Sequence, residues 1–441
     1  MSHSGDLHQF IVETFDGASR LHAAGQLDEA ERDYRLLLEL DEQHAAAMHY
    51  LGVLLHQTGQ REEALARMRQ AAMLAPANAD WHNDLGNVLF AQERFGEAVE
   101  AYRAALALRP DDAQLWNNCG AALRAQGRAE EAIDACLRAL ERAPDFGPAM
   151  QQLAALYEQA GDRMQSSRYQ CMAFVLPPHE GKSREMLGIS YYFLGRMEEA
   201  AQVCRLWMEE EPGNPAARHM HAAYAGQLIA SAQPAYIAQR FDDYADNFDD
   251  NLVERLAYRG PEVLAGLLEA AVDAGGRTLD VLDAGCGTGL CAPVLAPHAR
   301  RLDGVDLSEN MLRHAAARGA YTQLAREEAA AWMAAHAGQY DLVAACDVLI
   351  YCGELEAMFA AARGSLRDGG HFIFTVEQAA AGEAGEAGYL LHPSGRFRHE
   401  AAYVERCLRA AGFAIVVMRS ESIRMEIGAP VPGIAVLAAA A

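Results

Sequence analysis

A fixed period organises the apolar and small residues in the first half of the chain. In a 34-residue unit that starts at Ala45, the marked positions are Leu51, Gly52, Ala64, Ala71 and Pro76. The same positions recur every 34 residues in six units from residue 11 to residue 214, without an insertion. A simple helical bundle gives no reason for a fixed period, so the pattern predicts a stacked repeat array.

Each unit is predicted to form two antiparallel helices. Small residues at positions eight and twenty let the helices approach closely, and the proline ends the second helix because it lacks a backbone N–H donor. The period and residue pattern resemble the tetratricopeptide repeat. This resemblance implies an N-terminal α-solenoid over residues 11–214, after a tail of residues 1–10, with a concave face that binds a peptide or protein.

Amide side chains recur on the first helices of neighbouring repeats. They include Asn83 and Asn87 in one unit and Asn117 and Asn118 in the next. Because side-chain amides both donate and accept hydrogen bonds, they can bind a peptide backbone without reading its sequence. We expect these four residues to contact a substrate peptide, with a solvated polar face as the alternative.

The repeat pattern ends after residue 214. The segment from Pro215 starts like another first helix and then loses the pattern. Terminal repeats need a cap for their exposed apolar face. We therefore assign residues 215–231 to a capping helix and linker, and residues 232–441 to a second domain.

Short apolar segments alternate with helical stretches in this second domain. The predicted strands are residues 279–284, 302–306, 341–346, 371–376, 414–419 and 434–438. Such alternation predicts an open, mostly parallel sheet with helices on both faces. Ligands of these sheets bind beyond the carboxyl ends of the strands.

A glycine-rich stretch follows the first of these strands. Asp283 precedes Gly285, Gly287 and Gly289 in a GxGxG pattern, and Asp306 ends the next strand. Glycines there permit a tight turn and the close approach of a ligand, and an acid at the second strand can accept hydrogen bonds from ribose hydroxyls. The dinucleotide fingerprint GxGxxG has another spacing.

These segments resemble motif I and the following acidic motif of class I S-adenosylmethionine-dependent methyltransferases. With its repeats, the chain is similar to a family of bacterial tetratricopeptide-containing methyltransferases. The resemblance implies a Rossmann-like domain with a seven-stranded mixed sheet, S-adenosylmethionine as cofactor and S-adenosylhomocysteine as product. The implied cofactor-binding residues are Asp283, Gly285, Cys286, Gly287, Gly289, Asp306, Leu307, Met311 and Cys346.

Aromatic residues precede the sheet at near-helical spacing. They are Tyr236, Phe241, Tyr244 and Phe248. Aromatic faces attract cations, and related methyltransferases close a segment here over the cofactor. We therefore expect Tyr236, Phe241 and Tyr244 to form a lid over the sulfonium, with a helix packing face as the alternative.

The end of the fourth strand lies beside the transferring methyl group in this fold. Asp347 there could orient a nucleophile or cap a helix, Tyr351 is a further catalytic candidate, and Cys346 is expected to pack near the cofactor. After the third strand, Glu327 and Glu328 are candidates for the adenine amino group. They could equally begin a surface helix.

Basic and aromatic residues gather between the fifth strand and the next helix, where substrate loops lie in this fold. Tyr389, Arg396 and Arg398 are candidates for substrate binding, since guanidinium groups bind carboxylates. His399 could act as a general base. An exposed basic loop is the alternative.

The net charge of −24 argues against nucleic acid as a partner, because no basic stripe is present to neutralise phosphates. The chain has no apolar run of membrane-spanning length and no signal peptide at its start, which predicts a cytoplasmic protein without a membrane partner. The nine cysteines are scattered without a CxxC pair, so we predict reduced thiols and no metal site.

The leading hypothesis is methyl transfer to a peptide or protein that the repeats recruit. Methyl transfer is an in-line displacement, so the enzyme mainly aligns the nucleophile and excludes water. Alternatives are a small-molecule methyltransferase with repeats for assembly, a repeat scaffold with a non-catalytic domain, and a nicotinamide-dependent oxidoreductase. The acceptor atom and the oligomeric state stay open.

Overall fold

The computed structural model describes residues 2–250, 256–271, 276–426 and 429–441. The chain divides into two compact units, residues 1–179 and 180–441. The first unit contains helices only, and the second contains helices followed by a mixed sheet. This order confirms the predicted fold class, an α-helical repeat region followed by an α/β domain.

Paired helices form the first unit. They are α1 (Ser2–Ala23), α2 (Leu27–Leu40), α3 (Ala45–Gln57), α4 (Arg61–Leu74), α5 (Ala79–Ala91), α6 (Phe95–Leu108), α7 (Ala113–Ala125), α8 (Ala129–Arg142), α9 (Gly147–Gln159) and α10 (Arg163–Phe174). Each pair coincides with one predicted repeat. Helix α1 already begins at Ser2, so most of the residues that we expected to form a tail belong to a helix.

Local sequence signals explain these helix bounds. Asn78 precedes α5, and its side chain accepts hydrogen bonds from the backbone of Asp80 and Trp81. Asp112 caps α7 in the same way. These side chains satisfy amide N–H groups that would otherwise lack partners at the helix start.

Gly86 shows why position eight of the repeat is small. A Cβ atom at Gly86 would lie 2.6 Å from Cε1 of Tyr102 on α6. The Tyr102 ring is buried, and its hydroxyl donates to Asn87 over 2.8 Å. The absent side chain therefore allows α5 and α6 to pack closely.

The second unit begins with the sixth predicted repeat. Its helices before the sheet are α11 (Arg184–Phe193), α12 (Met197–Glu210), α13 (Pro215–Tyr224), α14 (Pro234–Tyr244), α15 (Phe248–Asp250) and α16 (Gly260–Ala271). The helices among the strands are α17 (Ala292–Leu295), α18 (Glu309–Ala317), α19 (Ala329–Ala335), α20 (Glu356–Ser365) and α21 (Ala401–Ala410).

Nine strands form one mixed sheet in the described part of this unit. They are β1 (Leu279–Ala284), β2 (Ala299–Asp306), β3 (Gln323–Arg326), β4 (Tyr340–Ala345), β5 (Leu366–Gln378), β6 (Tyr389–Leu391), β7 (Phe397–His399), β8 (Phe413–Glu426) and β9 (Ala429–Ala440). The parallel order β3-β2-β1-β4-β5 continues through antiparallel β9 and β8. The short strands β6 and β7 extend the sheet at the end of β5.

The sheet contains the expected seven strands, β1 to β5, β8 and β9, and two further short strands. Strands β6 and β7 span three residues each, too few to show the alternation of apolar and polar positions that predicts a strand.

Helix α13 packs against the sheet-bearing part of its unit. His219 is buried, and its Nε2 atom lies 2.8 Å from the carbonyl oxygen of Gly395. Its ring also stacks on Tyr236 of α14, with a centroid distance of 4.1 Å. These contacts explain why the chain divides after residue 179, whereas the sequence predicted a linker over residues 215–231.

We predict that Gly86→Ala destabilises the repeat unit by about 1–3 kcal/mol, because the new methyl group must displace the buried Tyr102 ring. Gly17→Ala is the matched control, since no heavy atom lies within 4 Å of a Cβ there. Alanine in this helix should be neutral or stabilising by up to about 1 kcal/mol. Thermal unfolding of both variants tests the contrast, and equal melting temperatures would contradict it.

Candidate active site

A cavity of about 780 Å³ opens at the carboxyl ends of the parallel strands. Residues from the loops after β1, β2, β3 and β4 line it, together with residues of α14 and the end of β8. The chain order of the strands reverses between β1 and β4, which is where open α/β sheets bind their ligands. Its volume is in the range of small-molecule sites, roughly 300–1,000 Å³.

The glycine-rich loop forms one wall. Gly285 has a φ of +73°, and a Cβ atom there would lie 2.4 Å from Cγ2 of Val348. The amides of Gly285 and Cys286 donate to the carbonyl oxygen of Val305 over 2.8 and 2.9 Å, which ties the loop to β2. Gly287 has a φ of +53° and open space where a side chain would be. A ligand can therefore reach the backbone at Gly287.

Asp306 faces the cavity from the end of β2. Its Oδ2 atom accepts from the Gly287 amide and its Oδ1 atom accepts from the Ser308 amide, both over 2.9 Å. Burial raises the pKa of Asp306, although these amide donors oppose the shift. Each carboxylate oxygen retains a lone pair that can accept a hydrogen bond from a ligand hydroxyl group.

Asp283 lies beside Asp306 in the cavity wall and is almost fully buried. Burial raises the pKa of its carboxyl group to about 7, and the charge of Asp306 adds to this shift. The Tyr321 hydroxyl donates to its Oδ2 atom over 2.7 Å and partly offsets the rise. This carboxyl group thus changes its protonation near neutral pH.

Of the predicted cofactor residues, Gly289 and Met311 do not line the cavity. A Cβ atom at Gly289 would lie 3.0 Å from the Arg318 side chain, so this glycine allows α18 to pack against the loop. Met311 is a buried residue of α18. Leu307, Cys286 and Cys346 do line the cavity, and Cys346 Sγ lies 3.4 Å from the Tyr258 hydroxyl.

The aromatic segment before the sheet covers the cavity in part. Phe241, Tyr244 and Phe248 line it, and the Phe241 ring meets Tyr351 edge-on with a centroid distance of 5.6 Å. Tyr236 does not fit the predicted lid role. Its ring is buried against His219 of α13, because the contact with α13 turns this face of α14 away from the cavity.

Hydrogen bonds and an ion pair hold this segment over the glycine loop. Asp249 accepts hydrogen bonds from the Thr288 hydroxyl and from Arg318, each over 2.5 Å. Asp242 accepts from the Ser308 hydroxyl, also over 2.5 Å. The segment is therefore fastened to the same loops that carry Gly287 and Asp306.

A buried ion-pair network borders the other end of the cavity. Arg424 is 3% exposed, and its Nη1 atom lies 2.9 and 2.7 Å from the two carboxylate oxygens of Asp347. Its other nitrogens contact Glu426 and the fully buried Glu377. Arg396 donates to Glu377 over 2.5 Å and to Glu426 over 2.5 and 2.6 Å.

This network limits the role predicted for Asp347. Asp347 has a φ of +60° after β4, and its amide donates to the Thr375 hydroxyl over 2.9 Å. Both of its carboxylate oxygens contact Arg424, so the group is an ion-paired carboxylate. Burial alone would raise the pKa of Glu426, but Arg396 and Arg424 lower it below its ordinary value.

His399 lies away from the cavity, which removes it as the predicted general base. It is fully buried in β7, and its Nε2 atom donates to the carbonyl oxygen of Gly353 over 3.1 Å. Burial lowers the pKa of His399 to about 4. The pairing of β7 with β5 turns this side chain inward, and a strand of three residues is too short to be predicted from alternation.

The other predicted substrate residues of this hairpin divide between two environments. Arg396 lines the cavity, whereas Tyr389 and Arg398 do not. Tyr389 is buried and donates to Glu354 over 3.4 Å, and Arg398 lies 3.5 Å from Glu377. These contacts assign Tyr389 and Arg398 to packing and ion pairing in the structure.

Sequence reasoning missed several residues that line the cavity. Arg240, Tyr258, Arg424 and Glu426 are among them. Arg424 and Glu426 belong to the end of β8, five and seven residues beyond the predicted strand, so alternation carried no signal for them. Glu327 and Glu328 both line the cavity, and Glu328 also accepts from two amides at the start of α19 and thus caps that helix.

The amides of the repeat array form hydrogen bonds with each other. Asn118 Nδ2 donates to Asn83 Oδ1 over 3.1 Å, and the buried Asn117 accepts from a glutamine of α9 over 2.7 Å. Asn87 is exposed, and its Oδ1 atom accepts from a tyrosine of α6. Of the four predicted peptide contacts, Asn83, Asn87 and Asn118 are accessible and Asn117 is not.

Known protein families match both the repeats and the sheet-bearing part of the chain. Residues 239–417 match a family described as methyltransferase domain, and residues 57–113 and 83–145 match the tetratricopeptide repeat family. The chain combines tetratricopeptide repeats with a methyltransferase domain. The cavity and its glycine loop lie in the methyltransferase domain.

Two curated relatives match parts of this domain. Methyltransferase-like protein 27 of Homo sapiens is 39% identical over 85 residues, which are 19% of this chain and 34% of that protein. Ubiquinone biosynthesis O-methyltransferase of Pectobacterium atrosepticum is 29% identical over 100 residues, which are 22% and 42% of the two chains. The chain therefore spans less than half the length of these relatives.

Solved structures match the repeat region. A crystal structure of MamA shares 24% identity with a TM-score of 0.34, and covers 35% of this chain and 91% of its own. A structure from a study of Pseudomonas aeruginosa pilF shares 17% identity with a TM-score of 0.36. The match covers 49% of this chain and 99% of that structure's chain.

No described group of histidine, cysteine and carboxylate side chains could hold a metal ion. No described helix combines the length and the apolar character needed to cross a bilayer.

We predict that Asp283 makes stability fall as pH rises towards 7. Its folded-state pKa is raised to about 7 from 3.8, so the folded state keeps a proton that the unfolded state has lost. Between pH 5.5 and 8 the free energy of unfolding therefore falls by roughly 2 kcal/mol because of Asp283. The variant Asp283→Asn should not show this fall. Urea unfolding followed by circular dichroism measures the difference.

The control for this titration is Asp368→Asn, because the Asp368 side chain is fully exposed. Its pH dependence should parallel that of the unmodified chain. Parallel curves for Asp283→Asn as well would show that Asp283 does not titrate in this range.

Proposed function

We propose that the chain is an S-adenosylmethionine-dependent methyltransferase whose acceptor is a peptide or protein recruited by its repeats. One observation carries the cofactor assignment. The open backbone at Gly287 and the Asp306 carboxylate face the same cavity at the strand-order reversal, and Asp306 is hydrogen-bonded to the Gly287 amide. This pairing supports a ligand with a ribose beside a flexible polar chain.

The residues present fit S-adenosylmethionine. Asp306 would accept hydrogen bonds from the ribose hydroxyls, since each of its oxygens has a lone pair left. Leu307 and Glu327 would flank the adenine from the ends of β2 and β3. The glycine loop would admit the methionine portion, because no side chain fills the space at Gly287.

The aromatic residues fit a positively charged sulfur. Phe241, Tyr244 and Tyr351 line the cavity between the glycine loop and the ion-pair network. Aromatic faces attract cations most strongly where water is excluded. S-adenosylmethionine, when bound, supplies a methyl group on that sulfur, and these rings would orient it towards the end of β4.

The chain's remaining contribution is positioning. Hydrogen bonds to Asp249 and Asp242 hold the aromatic segment over the cavity and restrict the entry of water. The network of Arg396 and Arg424 fixes the loop after β4, where the acceptor would lie. Alignment of a nucleophile in a water-poor site is the main requirement of such a displacement.

The accessible amides of the repeats support a peptide acceptor. Asn83 and Asn118 bond to each other and retain further donors and acceptors, and Asn87 is exposed. Binding remote from the reacting atoms can position the acceptor. A small-molecule acceptor is the second candidate, favoured by the O-methyltransferase relatives and by the size of the cavity.

We predict that Asp306→Asn weakens the binding of S-adenosylhomocysteine by roughly 10- to 100-fold, because a charged hydrogen-bond acceptor is lost. Isothermal titration calorimetry measures this affinity. Glu309→Gln is the control, since Glu309 is exposed and pairs with Arg326 outside the cavity. Unchanged affinity in Asp306→Asn, or binding of NAD in place of S-adenosylhomocysteine, would refute the cofactor assignment.

We also predict that the double variant Asn83→Ala, Asn118→Ala lowers methylation of proteins in a cell lysate about fivefold. The reason is that two neighbouring side-chain amides, which would bind the peptide backbone, are lost. Labelled S-adenosylmethionine reports the transfer. The control Gln170→Ala changes an exposed amide of α10. Label found only in small molecules, with equal amounts in all variants, would favour the second candidate.

A further inference from the structure

Arg240 of α14 is a cation in the cavity wall without a partner carboxylate among the described residues. Three arginines line the cavity among the described residues, and Arg396 and Arg424 are engaged in ion pairs. Arg240 forms no ion pair with any described residue. Its guanidinium group lies over the Tyr244 ring, 5.7 Å from the centroid.

An unpaired cation in a partly enclosed cavity is unfavourable in the absence of a ligand. Transfer of a charge from water is costly unless an opposite charge or hydrogen bonds compensate for it. The chain has 61 acidic residues against 37 lysines and arginines, so acidic side chains are abundant. The charge of Glu185 on α11 acts on Arg240, but no described carboxylate, Glu185 included, forms an ion pair with it. This indicates a site for an anion from outside the chain.

Arg240 lies at the acceptor end of the cavity. Phe241, the next residue on α14, meets the Tyr351 ring after β4 edge-on. Tyr236, one turn earlier, stacks on His219, which contacts Gly395 beside Arg396. Tyr351 and Arg396 line the side of the cavity with the ion-pair network, whereas Asp306 and the glycine loop form the cofactor side.

The same end has no free general base among the described lining residues. Asp347 and Glu426 are paired with arginines, and no histidine lines the cavity. Burial raises the pKa of Tyr351. An acceptor that must lose a proton during attack therefore has no obvious proton acceptor here, whereas an acceptor that is already an anion needs none.

A carboxylate matches these conditions best. One unpaired guanidinium group compensates a single negative charge, and its planar donors match the two oxygens of a carboxylate. A phosphate group with two charges would remain partly uncompensated. A carboxylate is also ionised at neutral pH without help from the protein.

We propose that Arg240 binds a carboxylate of the acceptor and that this carboxylate receives the methyl group as a methyl ester. The proposal rests on the proposed methyltransferase function. One carboxylate oxygen forms a bond to the methyl carbon while the carbon–sulfur bond breaks and its electron pair stays on sulfur. No proton moves, and no further reactant is consumed.

The chemical test uses the full chain, S-adenosylmethionine labelled with tritium in its methyl group, and a lysate of the organism that encodes the chain. Methyl esters release volatile labelled methanol in mild base, whereas methylated nitrogen, sulfur and ether oxygen do not. We expect most of the transferred label to be volatile after base treatment. Label that is stable to base, or no label despite bound cofactor, overturns the carboxylate assignment.

This outcome is distinct from a failure of the proposed function. Base-stable label would leave the methyltransferase activity intact and change only the acceptor group. A chain that binds no S-adenosylhomocysteine and transfers no label would refute the function itself.

The residue test is Arg240→Gln. We expect the base-labile label to fall at least about tenfold, while the affinity for S-adenosylhomocysteine, which also shows correct folding, stays within about twofold. Arg326→Gln is the matched control, because Arg326 is exposed and lies outside the cavity lining. Unchanged ester formation in Arg240→Gln would overturn the role of Arg240.

The cofactor also carries a carboxylate. Comparing the binding of two compounds shows whether Arg240 binds the carboxylate of the acceptor or that of the cofactor. S-adenosylhomocysteine has this carboxylate and 5′-methylthioadenosine lacks it. We expect Arg240→Gln to leave the binding of both compounds unchanged. Weaker binding of S-adenosylhomocysteine alone would assign Arg240 to the cofactor and overturn the acceptor proposal.

Discussion

The candidate site depends on the buried ion pairs of Arg424. This side chain joins the loop after β4, through Asp347, to Glu377 on β5 and Glu426 on β8. Removing one member of such a cluster leaves uncompensated buried charge and typically costs about 3–5 kcal/mol. Because the partners come from the loop after β4 and from two strands, the cluster sets where the sheet's carboxyl edge ends and where the end of the cavity that we propose for the acceptor begins.

Much of the fold follows from local regularities of the sequence. The 34-residue period predicts the helix pairs because small residues such as Gly86 determine how closely neighbouring helices pack. Strands β1 and β4 are predicted to within one residue at each end, since each is a buried apolar run. The glycine loop is predictable for a similar reason, because its backbone needs positive φ angles at Gly285 and Gly287.

The acceptor side of the site could not be predicted in this way. Arg424 and Arg240 are remote in sequence and reach the cavity only through tertiary packing. His399 and Arg396 are three residues apart, yet one is buried beneath the hairpin and the other lines the cavity. Which side of a short hairpin faces a cavity depends on its pairing with β5, and a single sequence carries no signal for that pairing.

The contact of His219 with Gly395 and Tyr236 bears on how such chains can change in evolution. Helices α11 to α13 belong to the same compact unit as the sheet. Repeats before residue 180 interact mainly with their neighbours, as in other solenoids. Lineages could therefore gain or lose these earlier repeats and alter partner choice, while a deletion that reaches α13 would damage the catalytic unit itself.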